Sequence, residues 1–348
     1  MQSNPISFSA GPTHLGPRTE KALHEIISSG FLSISHRSPQ FSEVSKKAID
    51  GLRRQLKIPN DYHIFYQNSS TVAWDTVLQN VVAKHAFHFV CGEFSKRFFQ
   101  TAEALNLNAM CHETASGMAV ELEKAKIPKE TELIAITHNE TRAGLMWPFE
   151  VIKRLREENP QALLAIDVCS SFGGMKMDWT LADIWLGSVQ KCLTMPAGLG
   201  YLICSPRALE KAQHLKKKLP AWRRFDVLAE KMKVYQIYET PNTLNIALLA
   251  KLMEEWDLEA IEKETRRKAK LLYTAKMDWE PHVKDPHWQS ITSTHFMVDN
   301  AEKWHKKAEK ANFILGRSFD DFANNGIRIC NFPSHTYEML EALLAALS

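Results

Sequence analysis

The sequence predicts an α/β protein: a mostly parallel mixed sheet sandwiched by helices, followed by a smaller α+β unit. Two observations carry this. From about residue 60, short apolar, β-prone runs alternate with longer segments whose apolar residues recur every three or four positions, the order that buries a sheet between helical layers. The runs are also near-continuously apolar, as parallel strands covered on both faces are.

The strand candidates in order are YHIFYQ (62–67), FHFVC (87–91), ELIAIT (132–137), ALLAIDV (162–168), DIWLGSV (183–189) and GYLICS (200–205). Between them, TVAWDTVLQNVVAKH (71–85) and FEVIKRLREEN (149–159) read as amphipathic helices. YETPNT at 238–243 interrupts the alternation, and one long helical run, 243–277, bridges into the second unit. That unit contains TSTHFMVD, NFILGRSFDDFANNGIRIC and a C-terminal HTYEMLEALLAAL. The expected division is a large domain over 15–250 and a small one formed by 1–14 with 251–348.

Composition narrows the function. The 348 residues are 45% apolar with a formal charge of +3, so nucleic-acid binding would need a concentrated basic patch. The one run that qualifies, KAQHLKKKL at 211–219, reads as the solvated face of a helix. Six scattered cysteines with no CxxC pair fit reduced, buried thiols in a cytoplasmic protein. Neither a metal-binding pattern nor a membrane-spanning run is present in the sequence.

In open α/β sheets ligands gather beyond the carboxyl ends of strands, so polar residues just after apolar runs are the candidates. Ser70 and Thr71, in YQNSSTVAW, open a helix, either as a plain cap or as an anion site. Asp167 ends a strongly apolar run and needs compensation, from an arginine, from capping donors or from the protonated ring nitrogen of a cofactor. Thr141 and Arg142 lie in the loop ITHNETRAG. Lys191 follows a strand beside Gln190, either as a plain surface lysine or as an amine poised for chemistry, and Gly198 and Gly200 beyond it let the chain turn closely before re-entering the sheet. An amine, a carboxylate and a hydroxyl-rich helix start match the three handles of pyridoxal phosphate: aldehyde, ring nitrogen and phosphate.

The chain resembles the phosphoserine aminotransferases, in the class V branch of fold-type I pyridoxal-phosphate enzymes. FSAGPTHL, SHRSPQF, NETRAG, AIDVCSSFG, SVQKCLTMPAGLG, YETPNT and GIRIC stand in that family's order over nearly the whole chain. The resemblance implies that Lys191 holds the cofactor as a Schiff base, Asp167 pairs with the pyridinium, and Ser70, Thr71 and Gln190 meet the phosphate. It further implies that Thr141 contacts the ring's phenolic oxygen and that Phe94 stands where the family stacks a tryptophan. As the resemblance has it, the enzyme is a homodimer in which Glu239 and Thr240 reach the partner's cofactor phosphate, Glu239 replacing the usual asparagine. For substrate it assigns His36, Arg37 and Arg328, the last gripping the α-carboxylate through a planar fork.

At the end of the site that would meet a substrate phosphate, three further positions depart from the family. Its phosphate-loop arginine is Thr71 here, and a second basic pair falls on Asp321 and Phe322, leaving Arg142, Arg317 or Lys96 to compensate. The implied function is transamination of phosphoserine with 2-oxoglutarate in serine biosynthesis. The alternatives are an enzyme of the same fold acting on unphosphorylated serine or alanine with glyoxylate or pyruvate, and a catalytically silent binding protein. Neither nucleic acid nor membrane is expected as a partner.

Overall fold

The computed structural model describes residues 4–348. Seven strands form the large sheet: β2 (His63–Gln67), β3 (His85–Val90), β4 (Asn108–Glu113), β5 (Leu133–Thr137), β8 (Leu163–Asp167), β9 (Ile184–Ser188) and β10 (Gly200–Cys204). Their order is β2-β10-β9-β8-β5-β3-β4, and only β10 runs against its neighbours. The expected mixed, mainly parallel sheet is therefore observed. A five-stranded sheet, β1-β13-β14-β12-β11, joins β1 (Ile6–Phe8) to β11 (Glu280–Pro281), β12 (Ser293–Met297), β13 (Phe313–Arg317) and β14 (Gly326–Cys330). The short hairpin β6 (Asn139–Glu140) and β7 (Leu145–Met146) stands apart.

Side chains two apart along a strand share a face, and the core divides accordingly. Leu164 and Ile166 of β8 enter one apolar cluster, while Leu163 and Ala165 enter the other, with Trp74 and Val77 of the helix Ser70–Val81. Asp167 continues the second series. Its carboxylate consequently faces Trp74 at the carboxyl edge of the sheet.

Several sequence expectations are corrected. The helix expected over 71–85 ends at Val81, because the N–H groups of Ala83, Lys84 and His85 all donate to the Glu132 carboxylate, at 2.9, 2.7 and 3.1 Å. The single long helix over 243–277 is two, Thr243–Met253 and Leu258–Thr274. Between them Trp256 is anchored by its indole to Gly173 O at 3.1 Å, and the Asp257 carboxylate caps the second helix. The lysines of 211–219 mostly lie beyond their helix, which ends at Leu215 with Lys216 in the left-handed region. All six cysteines are free, but Cys111 is exposed and Cys169 half-buried. The strand β4 is absent from the sequence expectations, since as an edge strand it is mostly exposed and its sequence, NAMCHE, holds only three weakly β-prone apolar residues between polar ones.

Candidate active site

Strand ends β5, β8 and β9 open into a cavity of about 450 Å³ that Ser69–Thr71, the loop 139–142 and residues 10–12 also line. Of the sequence candidates, Ser70, Thr71, Phe94, Thr141, Arg142, Asp167, Gln190, Lys191 and Arg328 all reach it.

Lys191 lies three residues past β9 and is 7% exposed. Its Nζ donates to Thr141 Oγ1 at 3.4 Å and to Ser170 Oγ at 3.3 Å, and those two hydroxyls bond one another. Nζ is also 5.6 Å from the Phe94 ring centroid and 6.0 Å from that of Phe332. Gly11 lies against the lysine stem: its φ is +131°, and a Cβ there would stand 3.0 Å from Lys191 Cε. A side chain at position 11 would thus press on the amine's arm.

Asp167 makes no ion pair among the described residues. Its Oδ2 accepts from Trp74 Nε1 at 2.7 Å and its Oδ1 from the Cys169 N–H at 2.8 Å. Burial pushes its carboxyl up to about 6 from an ordinary 3.8, despite these donors. Of the compensations open to it, the local arginine is thus absent and capping donors alone are incomplete.

At the helix start, Ser69 caps by accepting from Val72 N–H at 3.2 Å. The Ser70 N–H and hydroxyl both meet Ser188 Oγ, at 2.7 and 2.8 Å, which ties the helix to the end of β9. Gly200 is the first residue of β10, as the strand expected over 200–205 has it, and takes no part in the turn; a Cβ there would come within 2.8 Å of the Ser69 carbonyl carbon. Gly198, at φ +113°, does make the turn.

Phe94 is set by a buried acid. The Glu140 carboxylate accepts the N–H groups of Phe94 and Ser95 at 3.1 and 3.0 Å and the Ser95 hydroxyl at 3.1 Å, at the start of the helix Glu93–Ala104. The loop NETRAG therefore holds an anchor, Glu140, beside Thr141 at the lysine and Arg142 at the cavity mouth.

Arg328, 6% exposed, donates from Nε and Nη2 to Arg317 O at 2.9 and 2.6 Å. Arg142 Nη1 donates to Glu93 and to Asp320, both at 3.0 Å. The Phe319 ring lies 4.4 Å from the Arg142 guanidinium and 5.2 Å from that of Arg328. Beyond this wall is a second pocket of about 460 Å³, which includes Lys96, Asp321 and Phe322. Arg317 is instead paired with Glu302 at 3.1 Å and reaches neither space.

His36, Arg37, Glu239 and Thr240 are not among the lining of this cavity. Arg37 is bound to the carbonyls of Ile237 and Tyr238, the latter at 2.7 Å, and Glu239 accepts from Asn68 at 3.2 Å. Sequence reasoning missed Trp74, Ser170, Ser188, Thr137 and Arg97 as lining residues. Trp74 and Arg97 lie inside helices, where only the tertiary fold reveals their direction. A larger surface cleft, about 740 Å³ beside Lys216–Lys218 and Arg224, has no buried unpartnered polar group in its lining and carries no comparable chemistry.

The class-V aminotransferase family model matches residues 7–284. The chain belongs to the class-V aminotransferases. Its fold superposes on a phosphoserine aminotransferase from Cytophaga hutchinsonii with a TM-score of 0.95 at 34% identity, covering 99% of this chain and 98% of that one. The Rhodococcus opacus phosphoserine aminotransferase is 26% identical, over 94% of this chain and 90% of its own length. A pyridoxamine-pyruvate aminotransferase from Mesorhizobium loti shares the fold, with a TM-score of 0.86 at 20% identity, covering 99% and 91%. The aminotransferase thus exchanges an amino group between an amino acid and a keto acid. None of its helices, among the described residues, is long and apolar enough to cross a membrane.

Proposed function

We propose that this aminotransferase uses pyridoxal phosphate to transaminate phosphoserine with 2-oxoglutarate, in the cytoplasm and as a homodimer. The observation that carries the cofactor assignment is the buried Asp167 carboxylate, held by neutral donors with no ion pair among the described residues, in the same cavity as the Lys191 amine. A protonated ring nitrogen supplies the missing counter-charge, the donors at Ser70, Thr71 and Gln190 suit a phosphate, and Phe94 offers a ring face. Thr137 Oγ1 and Asn139 Oδ1, buried without partners on residues lining the cavity, leave polar capacity for a ligand.

When bound, the cofactor supplies an electron-withdrawing ring that accepts the electrons of the substrate's Cα–H bond. The chain's own part is positional and acid–base. Arg328 orients the α-carboxylate, and Lys191 Nζ, steered by the Thr141 and Ser170 hydroxyls, takes the α-proton and returns it. Asp167 keeps the ring nitrogen protonated, and Trp74 holds Asp167 in place.

The dimer is supported by exposed apolar side chains at Ile27, Leu32, Val234 and Tyr238, and by Arg37, whose bonds fix the 36–37 turn to 236–238. His36, Arg37, Glu239 and Thr240 would then serve a partner's cavity. The large domain is assigned to 15–250 and the small one to 4–14 with 251–348, a division that the two sheets support; residues 1–3 of the expected small domain lie outside the described residues.

Phosphoserine is favoured by Arg97, Arg142 and Lys96 at the outer end. An unphosphorylated amino acid has one observation in its favour: Arg142 is already held by two carboxylates. Comparing kcat/KM for phosphoserine, serine and alanine decides between them. Preference for phosphoserine by at least about tenfold is expected, the value of one charge-assisted contact; equal turnover of serine would remove phosphate from the reading.

A further inference from the structure

The wall between the inner cavity and the outer pocket is made by three residues common to both linings: Glu93, Arg142 and Phe319. Asp320 joins them from the loop between β13 and β14, the strand that carries Arg328. Two carboxylates on one guanidinium leave this group a net negative charge. At rest, the Arg142 guanidinium is thus already neutralised toward an incoming anion.

The two carboxylates are not equivalent. Both accept from Nη1, but the Asp320 side chain is 75% exposed and the Glu93 side chain 35%. An exposed pair is weak and readily exchanged, whereas the half-buried one is held longer. Asp320 also sits at φ +52°, a left-handed conformation that an aspartate adopts at some cost. Arg142 Nη2 and Nε have no hydrogen-bond partner within the described residues, so the guanidinium retains donors for a planar or tetrahedral anion.

We propose that Glu93, Arg142 and Asp320 form a latch that the distal anion of the substrate releases, taking the place of Asp320 on Arg142. The anion is the phosphate of phosphoserine or the side-chain carboxylate of glutamate; both arms rest on the function proposed above, the first on its phosphoserine and the second on its 2-oxoglutarate, whereas inorganic phosphate as an inhibitor probes the exchange apart from either. Exchange frees the Phe319–Asp320 segment from its ionic tie, while Phe319 stays between the two arginines. A substrate lacking a distal charge cannot make the exchange. Selectivity here therefore comes from a competing carboxylate as well as from the cation.

The test uses the holoenzyme and the variants Asp320→Asn, Arg142→Gln and the double variant. Asparagine suits a left-handed position, so the first variant keeps the loop. Asp320→Asn is expected to lower KM for phosphoserine and glutamate, and Ki for inorganic phosphate as a competitive inhibitor, by about three- to fivefold, the range an exposed ion pair carries. Values of kcat and the KM for serine and alanine should stay within about twofold. Arg142→Gln is expected to raise KM for the anionic substrates about tenfold or more, and in that background Asp320→Asn should have no effect. The latch is overturned if Asp320→Asn leaves the anionic constants unchanged or raises them, lowers all substrates alike, or acts equally without Arg142. If the unmodified enzyme prefers serine to phosphoserine, the phosphoserine reading fails while glutamate and inorganic phosphate still report on the latch.

Discussion

At the inner end of the cavity, Asp167 and Lys191 are buried and held by neutral donors and hydroxyls; at the outer end, Arg142 and Asp320 lie near the surface and hold each other by charge. The contrast follows from dielectric environment. A buried polar group that loses its partner pays the full desolvation cost, so each inner contact is fixed and its loss is expensive. Outer contacts are screened and interchangeable, which suits recognition of substrates that must enter and leave. Inner substitutions should therefore cost turnover, and outer ones should shift KM.

Among substitutions that leave Lys191 in place, the largest effect expected is for Asp167→Asn. In the function proposed above this carboxylate is the preorganised charge facing the cofactor's ring nitrogen, so on its removal kcat should fall on the order of 10² to 10³-fold with little change in KM. Steady-state kinetics with saturating cofactor would check this. A change confined to KM would erase the distinction between the two ends.

A smaller effect concerns the stability of the cofactor-free protein. The folded Asp167 carboxyl is pushed from 3.8 up to about 6 by burial, so between those values the folded state binds more protons than the unfolded state. Its contribution is thus fully present below about pH 4 and is lost as pH rises through about 6, by on the order of 3 kcal/mol at most. Thermal melts of the apoprotein across pH 4 to 7 should show the wild type losing stability relative to Asp167→Asn as pH rises. Parallel curves would mean that Asp167 is not a desolvated acid.

The inner end was largely legible in the sequence. Asp167 and Lys191 follow apolar strands, and Ser70 and Thr71 open a helix, so strand periodicity alone put them at the carboxyl edge. Trp74 was not legible, since its contact depends on the helix over 70–81 crossing the second face of β8. Nor was Glu140, whose bonds to Phe94 and Ser95 span more than forty residues. The outer end was least legible. Asp320 and Arg142 are 178 residues apart, and no local pattern reports that two separate sheets bring them together. Arg317, equally plausible by composition, turns to Glu302 instead.

The most direct test of the central claim is where the cofactor attaches. After incubation with pyridoxal phosphate and reduction with borohydride, peptide mass mapping should place the phosphopyridoxyl group on Lys191, and Lys191→Ala should abolish both the adduct and the visible absorption of the loaded protein. A stoichiometric adduct on another lysine, or undiminished transamination by Lys191→Ala, would contradict the account.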